Sequence, residues 1–139
     1  MSFREKSAWI SFVLLLVVFG SYFGRLAWVL ATGRGGRGLF HFFLALVVAL
    51  VILEIVLHIV AAKGSPHDAR LPKDERERLI TMRATQVAFP VLVAGGLASI
   101  ALIHLYVSAW LIAHAMLGAI AVAELVKFGT EIVLYRRSR

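Results

Sequence analysis

The length of its apolar runs restricts this chain more than any other feature. The first run extends from Ala8 to Ala31 and is broken only by Arg25. The second covers Leu39 to Ala62, the third about Thr85 to Val107, and the fourth about Ala109 to Tyr135. A helix crosses the hydrocarbon core of a bilayer with roughly 20 apolar residues, so each run is long enough for one span. Lipid offers no partner for a backbone N–H or C=O, and runs of this kind therefore form helices, which satisfy those groups internally. Composition agrees. Of the 139 residues 60%, about 83, are hydrophobic, against about 45–50% in soluble domains. The expected fold is all-α: a polytopic membrane protein, a four-transmembrane-helix bundle, forming a single membrane domain over 1–139.

Arg4 and Lys6 precede the first run as they would in a signal peptide. A signal h-region, however, is only about 7–15 residues long, so the run reads as a retained anchor. Four glycines between Gly33 and Gly38 leave that linker unable to hold a helix. The segment 63–84 reads as a loop, inside which Pro72, Asp74, Glu75 and Glu77 mark a helix start that runs directly into span three. Pro90 predicts a kink there. Almost no polar sequence separates Tyr106 from Trp110, so spans three and four form a tight hairpin, with both aromatics at interfacial depth.

Orientation follows from the cations. Eleven of the 15 Lys and Arg residues lie before span one, between spans two and three, or after span four. The positive-inside rule then places both termini and the 63–84 loop in the cytoplasm, as in a prokaryotic inner membrane, with anionic lipid head groups as the first partner. The net charge of +7 and pI near 10.6 would suggest nucleic acid in a soluble protein. Here no basic module stands apart from the spans, and nucleic-acid binding is not expected.

Helices in lipid associate through close backbone approach at small residues. Gly20 and Gly24 form such a pair in span one, and Gly95 and Ser99 form another in span three. Ala115, Ala119 and Ala123 form a ridge in span four. These faces serve packing within one molecule or association with a second copy or another membrane protein, and spacing does not separate the two.

Ionisable groups inside spans are costly and mark candidate functional sites. Glu54 and His58 are four residues apart and share a face of span two. Glu124, Lys127 and Glu131 form a stripe on span four. Glu54 and Lys127 lie at similar depth, roughly 13 Å from the cytoplasmic ends at 1.5 Å per residue, which permits an interhelical pair. Desolvation favours a neutral Glu54 and a nearby Lys127 a charged one, leaving its state open. The network either locks the spans together or serves as a proton or ion pathway. On the outer side, His41, His104 and His114 are candidate ligands for haem b or a metal ion, since imidazole suits both. The bland alternative is hydrogen bonding to water, head groups or backbone. The expectation is no cofactor.

Asp74-Glu75-Arg76-Glu77-Arg78-Leu79-Ile80, followed directly by a span, resembles a motif of small four-helix integral membrane proteins of bacteria and archaea. That resemblance implies four helices in a prokaryotic membrane. It carries no activity, so no functional residue is transferred from it. Small four-helix multidrug transporters are similar in length, but their central acidic residue lies in span one, where this chain has none between Ala8 and Ala31. The chain has no cysteine, and no nucleophile elbow or phosphate loop, so no enzyme is expected. The leading expectation is a protein acting by helix association, as an accessory or regulatory subunit or a homo-oligomer. A proton-coupled transporter or channel using Glu54, His58, Glu124 and Lys127 is the alternative, and a haem or metal protein the third.

Overall fold

The computed structural model describes residues 3–34, 36–64 and 74–137. Four long helices account for most of them: α1 (Phe3–Thr32), α2 (Leu39–Lys63), α3 (Glu75–Ala101) and α4 (Ala109–Arg137). Each is long and apolar enough to cross a membrane, and there is no strand among the described residues. The chain divides into two compact units, Met1–Arg70 and Leu71–Arg139, each of which is a helical hairpin.

In the first unit α1 packs against α2. Ala8, Ser11, Leu15, Val18, Tyr22, Leu26 and Val29 are buried along α1, and their steps of three or four residues keep one stripe of the helix turned inward. The Tyr22 ring lies 5.2 Å from that of Phe43. The Arg25 guanidinium sits 4.8 Å over the Phe42 ring, a cation–π contact that holds a charge within the otherwise uncharged run Ala8 to Ala31. Leu44, Val48, Val51, Ile55 and Ile59 on α2 are about half exposed, a surface that water would reject and that lipid chains would solvate.

The first linker contains more order than its glycines suggest. Gly33 takes a left-handed conformation (φ 66°) and donates to the Val29 carbonyl at 2.8 Å, a common way to terminate a helix. One short 3-10 turn, Gly36–Gly38, then leads into α2. That turn corrects the expectation of a linker without helix: three residues need only one turn's geometry, which glycine tolerates.

The second unit pairs α3 with α4. Here α3 begins ten residues before the apolar run, confirming that the helix start in 63–84 continues into span three. Its cap is Asp74, whose Oδ1 accepts from the Glu75 N–H at 2.7 Å. Pro72, expected in that first turn, lies outside the described residues, while Glu75 and Glu77 occupy it. Pro90 is accommodated inside the helix. The α3–α4 connection is as tight as expected: a 3-10 turn, Leu102–Leu105, Tyr106 left-handed at φ 54°, then Val107 and Ser108. Tyr106 is 98% exposed, as an aromatic residue at a membrane surface would be. The Ser108 carbonyl accepts from Leu111 and Ile112 to start α4.

Candidate functional site

Polar chemistry within the first hairpin gathers at one end, where the start of α1 meets the end of α2. Glu54 and His58 are one helical turn apart, and Ser7 and Ser11 have the same spacing on α1. His58 Nδ1 lies 2.7 Å from the Glu54 carbonyl oxygen and 3.1 Å from Glu54 Oε2. A carbonyl only accepts, so Nδ1 carries the hydrogen. In the neutral ring Nε2 is then an acceptor, and it takes the Ser7 hydroxyl at 2.5 Å. Ser11 Oγ donates to Glu54 Oε2 at 3.2 Å. The result is a continuous chain, Ser7 to His58 to Glu54 to Ser11, that bridges the two helices. Side-chain exposures of 31% for His58 and 28% for Glu54 leave the chain partly open. No buried side-chain nitrogen or oxygen among the described residues lacks a hydrogen-bond partner.

Sequence reasoning identified Glu54 and His58 but missed both serines. Their four-residue repeat was a usable signal, because it matches the Glu54–His58 repeat at the same depth from the helix ends. It also missed Glu5, which is 3% exposed at the same end of α1.

In the second hairpin Lys127 Nζ donates to Glu124 Oε2 at 3.3 Å along α4, with Lys127 28% and Glu124 43% exposed. The Lys127 ammonium also lies 4.9 Å over the Phe128 ring. Glu131 is buried at 8%. Glu54 belongs to the first hairpin and this stripe to the second.

His41 belongs to the first hairpin, and His104 and His114 belong to the second. His41 packs edge-on against Phe40 at 6.0 Å in the first hairpin. His104 is exposed in the 3-10 turn of the second. His114 Nδ1 lies 2.6 Å from the Trp110 carbonyl, with its ring 4.1 Å from the Trp110 ring. Among the described residues no group of three or more His, Asp or Glu side chains is gathered so as to hold a metal ion.

The small-residue pairs differ in use. Gly95 is pressed against α4: a Cβ placed on it would lie 2.5 Å from the Ala119 Cβ and 3.3 Å from its Cα. Ser99, 2% exposed, turns its hydroxyl back to the Gly95 carbonyl at 2.8 Å. Ala115 lines the same contact beside a shallow apolar groove of about 490 Å³. Gly20 and Gly24 present no such contact, since a Cβ on either meets nothing within 4 Å. In the 74–78 motif Asp74 serves as the cap of α3, and Glu75 and Arg78 line a surface recess with Leu79 and Met82.

No curated protein and no solved structure matches the chain. The family described as a predicted membrane protein (DUF2178) matches residues 5–139, nearly the whole length, including all four apolar helices. The chain therefore belongs to the DUF2178 family and is an integral membrane protein.

Proposed function

We propose that this protein acts by helix association within the bilayer, as a homo-oligomer or as an accessory or regulatory subunit of another membrane protein, and without catalysing a reaction. The face of α1 turned away from α2 carries this reading. Val13, Val17, Gly20, Gly24, Ala27 and Ala31 follow one another in alternating steps of four and three, and all are exposed. They lie on the side of α1 away from its buried stripe. In the second hairpin the equivalent small-residue surface, Gly95 with Ser99, is already occupied by Ala119. A G-x-x-x-G face that α2 does not cover offers the close backbone approach that drives association in lipid. The positive-inside distribution supports an inner-membrane orientation with both termini cytoplasmic and basic residues against anionic head groups.

Cross-linking of the full-length protein in native membranes tests the reading. The expected result is a defined oligomer, or a stoichiometric partner, that is lost when Gly20 and Gly24 are replaced by Ile while α-helix content is unchanged. A monomer without a partner, indifferent to both substitutions, would overturn it.

The Glu54–His58 pair favours a second reading, proton-coupled transport using Glu54, His58, Glu124 and Lys127. Its test is Glu54→Gln in vesicles: unchanged proton-coupled flux with normal assembly sinks it. A haem or metal role for His41, His104 and His114 is decided by visible absorbance and metal analysis of the purified protein.

A further inference from the structure

We infer that the turn end of the first hairpin binds an anionic phospholipid, whose phosphate is held by Arg25 together with the linker arginines Arg34 and Arg37. Arg25 stands seven residues before Thr32, roughly 10 Å from the end of α1 at 1.5 Å per residue, a depth at which a guanidinium is costly. The fold makes its position shallower. The linker turns back along α1, so that a Cβ on Gly36 would lie 3.6 Å from Val29 Cγ1, and Val29 is one helical turn beyond Arg25. The start of α2 is lowered with it: the Arg25 guanidinium lies over the Phe42 ring and the Tyr22 ring beside that of Phe43, three and four residues into α2. Arg25 is therefore level with the first turn of α2, while Arg34 and Arg37 are each within two residues of Gly36. Three basic residues are brought to one end of the hairpin, at the level where apolar chain gives way to head groups.

The chain supplies no counter-charge for them. No acidic residue occurs between Glu5 and Glu54 or between Glu77 and Glu124. Glu54 and Glu124 each lie fifteen residues from the turn end of their helix, Leu39 in α2 and Ala109 in α4, or roughly 22 Å. Four spans alternate in direction, which puts both turns on one side of the bilayer, and in each hairpin the half next to the turn is free of carboxylate. The anion that meets these arginines therefore comes from outside the chain. The Phe42 ring engages the charge of the Arg25 guanidinium and leaves N–H donors of its planar fork for oxygen acceptors. A phosphodiester presents two such oxygens with the spacing the fork matches. Depth selects a lipid over a phosphate in solution, because Arg25 lies inside the start of α2, among Leu26 and aromatic rings, where acyl chains anchor the phosphate. Charge selects a net negative lipid such as phosphatidylglycerol over a zwitterionic one, whose own ammonium offsets its phosphate. The site is at the opposite end of the spans from the eleven basic residues that set the orientation, and it does not depend on the association reading.

Trp28, three residues from Arg25, provides the readout. The full-length protein with Trp9→Phe and Trp110→Phe retains it as the single tryptophan, and is reconstituted into mixed bilayers of phosphatidylcholine and phosphatidylglycerol in which one lipid or the other carries bromine on its acyl chains. The expected result is quenching of Trp28 by brominated phosphatidylglycerol as though that lipid were enriched about fivefold or more beside it, the preference that one arginine near an anionic head group confers. Arg25→Gln should remove the enrichment and Arg34→Gln reduce it, with helix content unchanged, whereas glycerol phosphate added in solution should leave it intact. Equal quenching by the two lipids would overturn the inference, as would an enrichment that survives Arg25→Gln. Loss of the enrichment to soluble glycerol phosphate would overturn the lipid as the source of the anion. Should Arg25→Gln disturb the helices, Arg34→Gln with Arg37→Gln, both in the linker, carries the test, and an enrichment unaffected by that pair would overturn the site.

Discussion

A Cβ on Gly95 would meet Ala119 at 2.5 Å, whereas one on the adjacent Gly96 meets nothing within 4 Å. Gly95→Ala is therefore expected to push α3 from α4 and to destabilise the hairpin by about 1–3 kcal/mol, the usual cost of overpacking. Gly96→Ala should be neutral, or stabilising by up to about 1 kcal/mol through helix propensity. Unfolding of both variants in detergent measures the contrast, and equal effects would show that the contact does not govern packing. The same contrast explains what could be read in advance. A glycine in an apolar run announces a close approach without naming its partner, and Gly20 and Gly95 look alike until α4 is seen against one of them. Glu54 and His58 were legible because ionisable side chains are rare in spans. Ser7 and Ser11 were marked only by their matching four-residue repeat, a faint signal because serine is common in membrane helices and usually returns its hydroxyl to its own backbone, as Ser21 and Ser99 do.

At the scale of elements, hydropathy located the spans closely but not the helix ends. The helix α1 begins at Phe3, five residues before its apolar run, α3 begins ten before its own, and α4 continues to Arg137. Lys, Arg and Glu are good helix formers, so a helix leaving the apolar layer need not stop there, and transfer energy is blind to that extension. The start of α3 is set by Asp74, and Asp74→Ala is expected to cost about 1 kcal/mol, with Asp74→Asn retaining most of the cap. Hydrogen exchange of the first-turn amides of α3 would show it: faster exchange in the Ala variant and near-normal exchange in the Asn variant. Unchanged protection in both would remove Asp74 from that role. The α3–α4 turn has its own signature, since a non-glycine residue in the left-handed region costs roughly 1–2 kcal/mol. Tyr106→Gly should accordingly raise the thermal midpoint of the detergent-solubilised protein, and a lowered midpoint would mean that the exposed tyrosine ring contributes more than its backbone costs.

For the whole molecule, the basic residues predict an arrangement that the lack of native cysteine makes easy to map. Single-cysteine variants should react with an impermeant maleimide on opposite faces of the membrane: Lys63→Cys from the cytoplasmic side, Arg34→Cys and Tyr106→Cys from the other. Labelling of all three from one side would refute the topology. The turn at Tyr106 to Ser108 also bears on how the protein is made. Only three residues separate the end of the 3-10 turn from α4, none of them charged. A nascent α3 that has emerged by itself therefore has no hydrophilic segment behind it to rest in the head-group layer. Because α4 follows so closely, the two helices are expected to enter the bilayer as one unit, with Gly95 and Ala119 meeting during insertion instead of by later diffusion in the membrane.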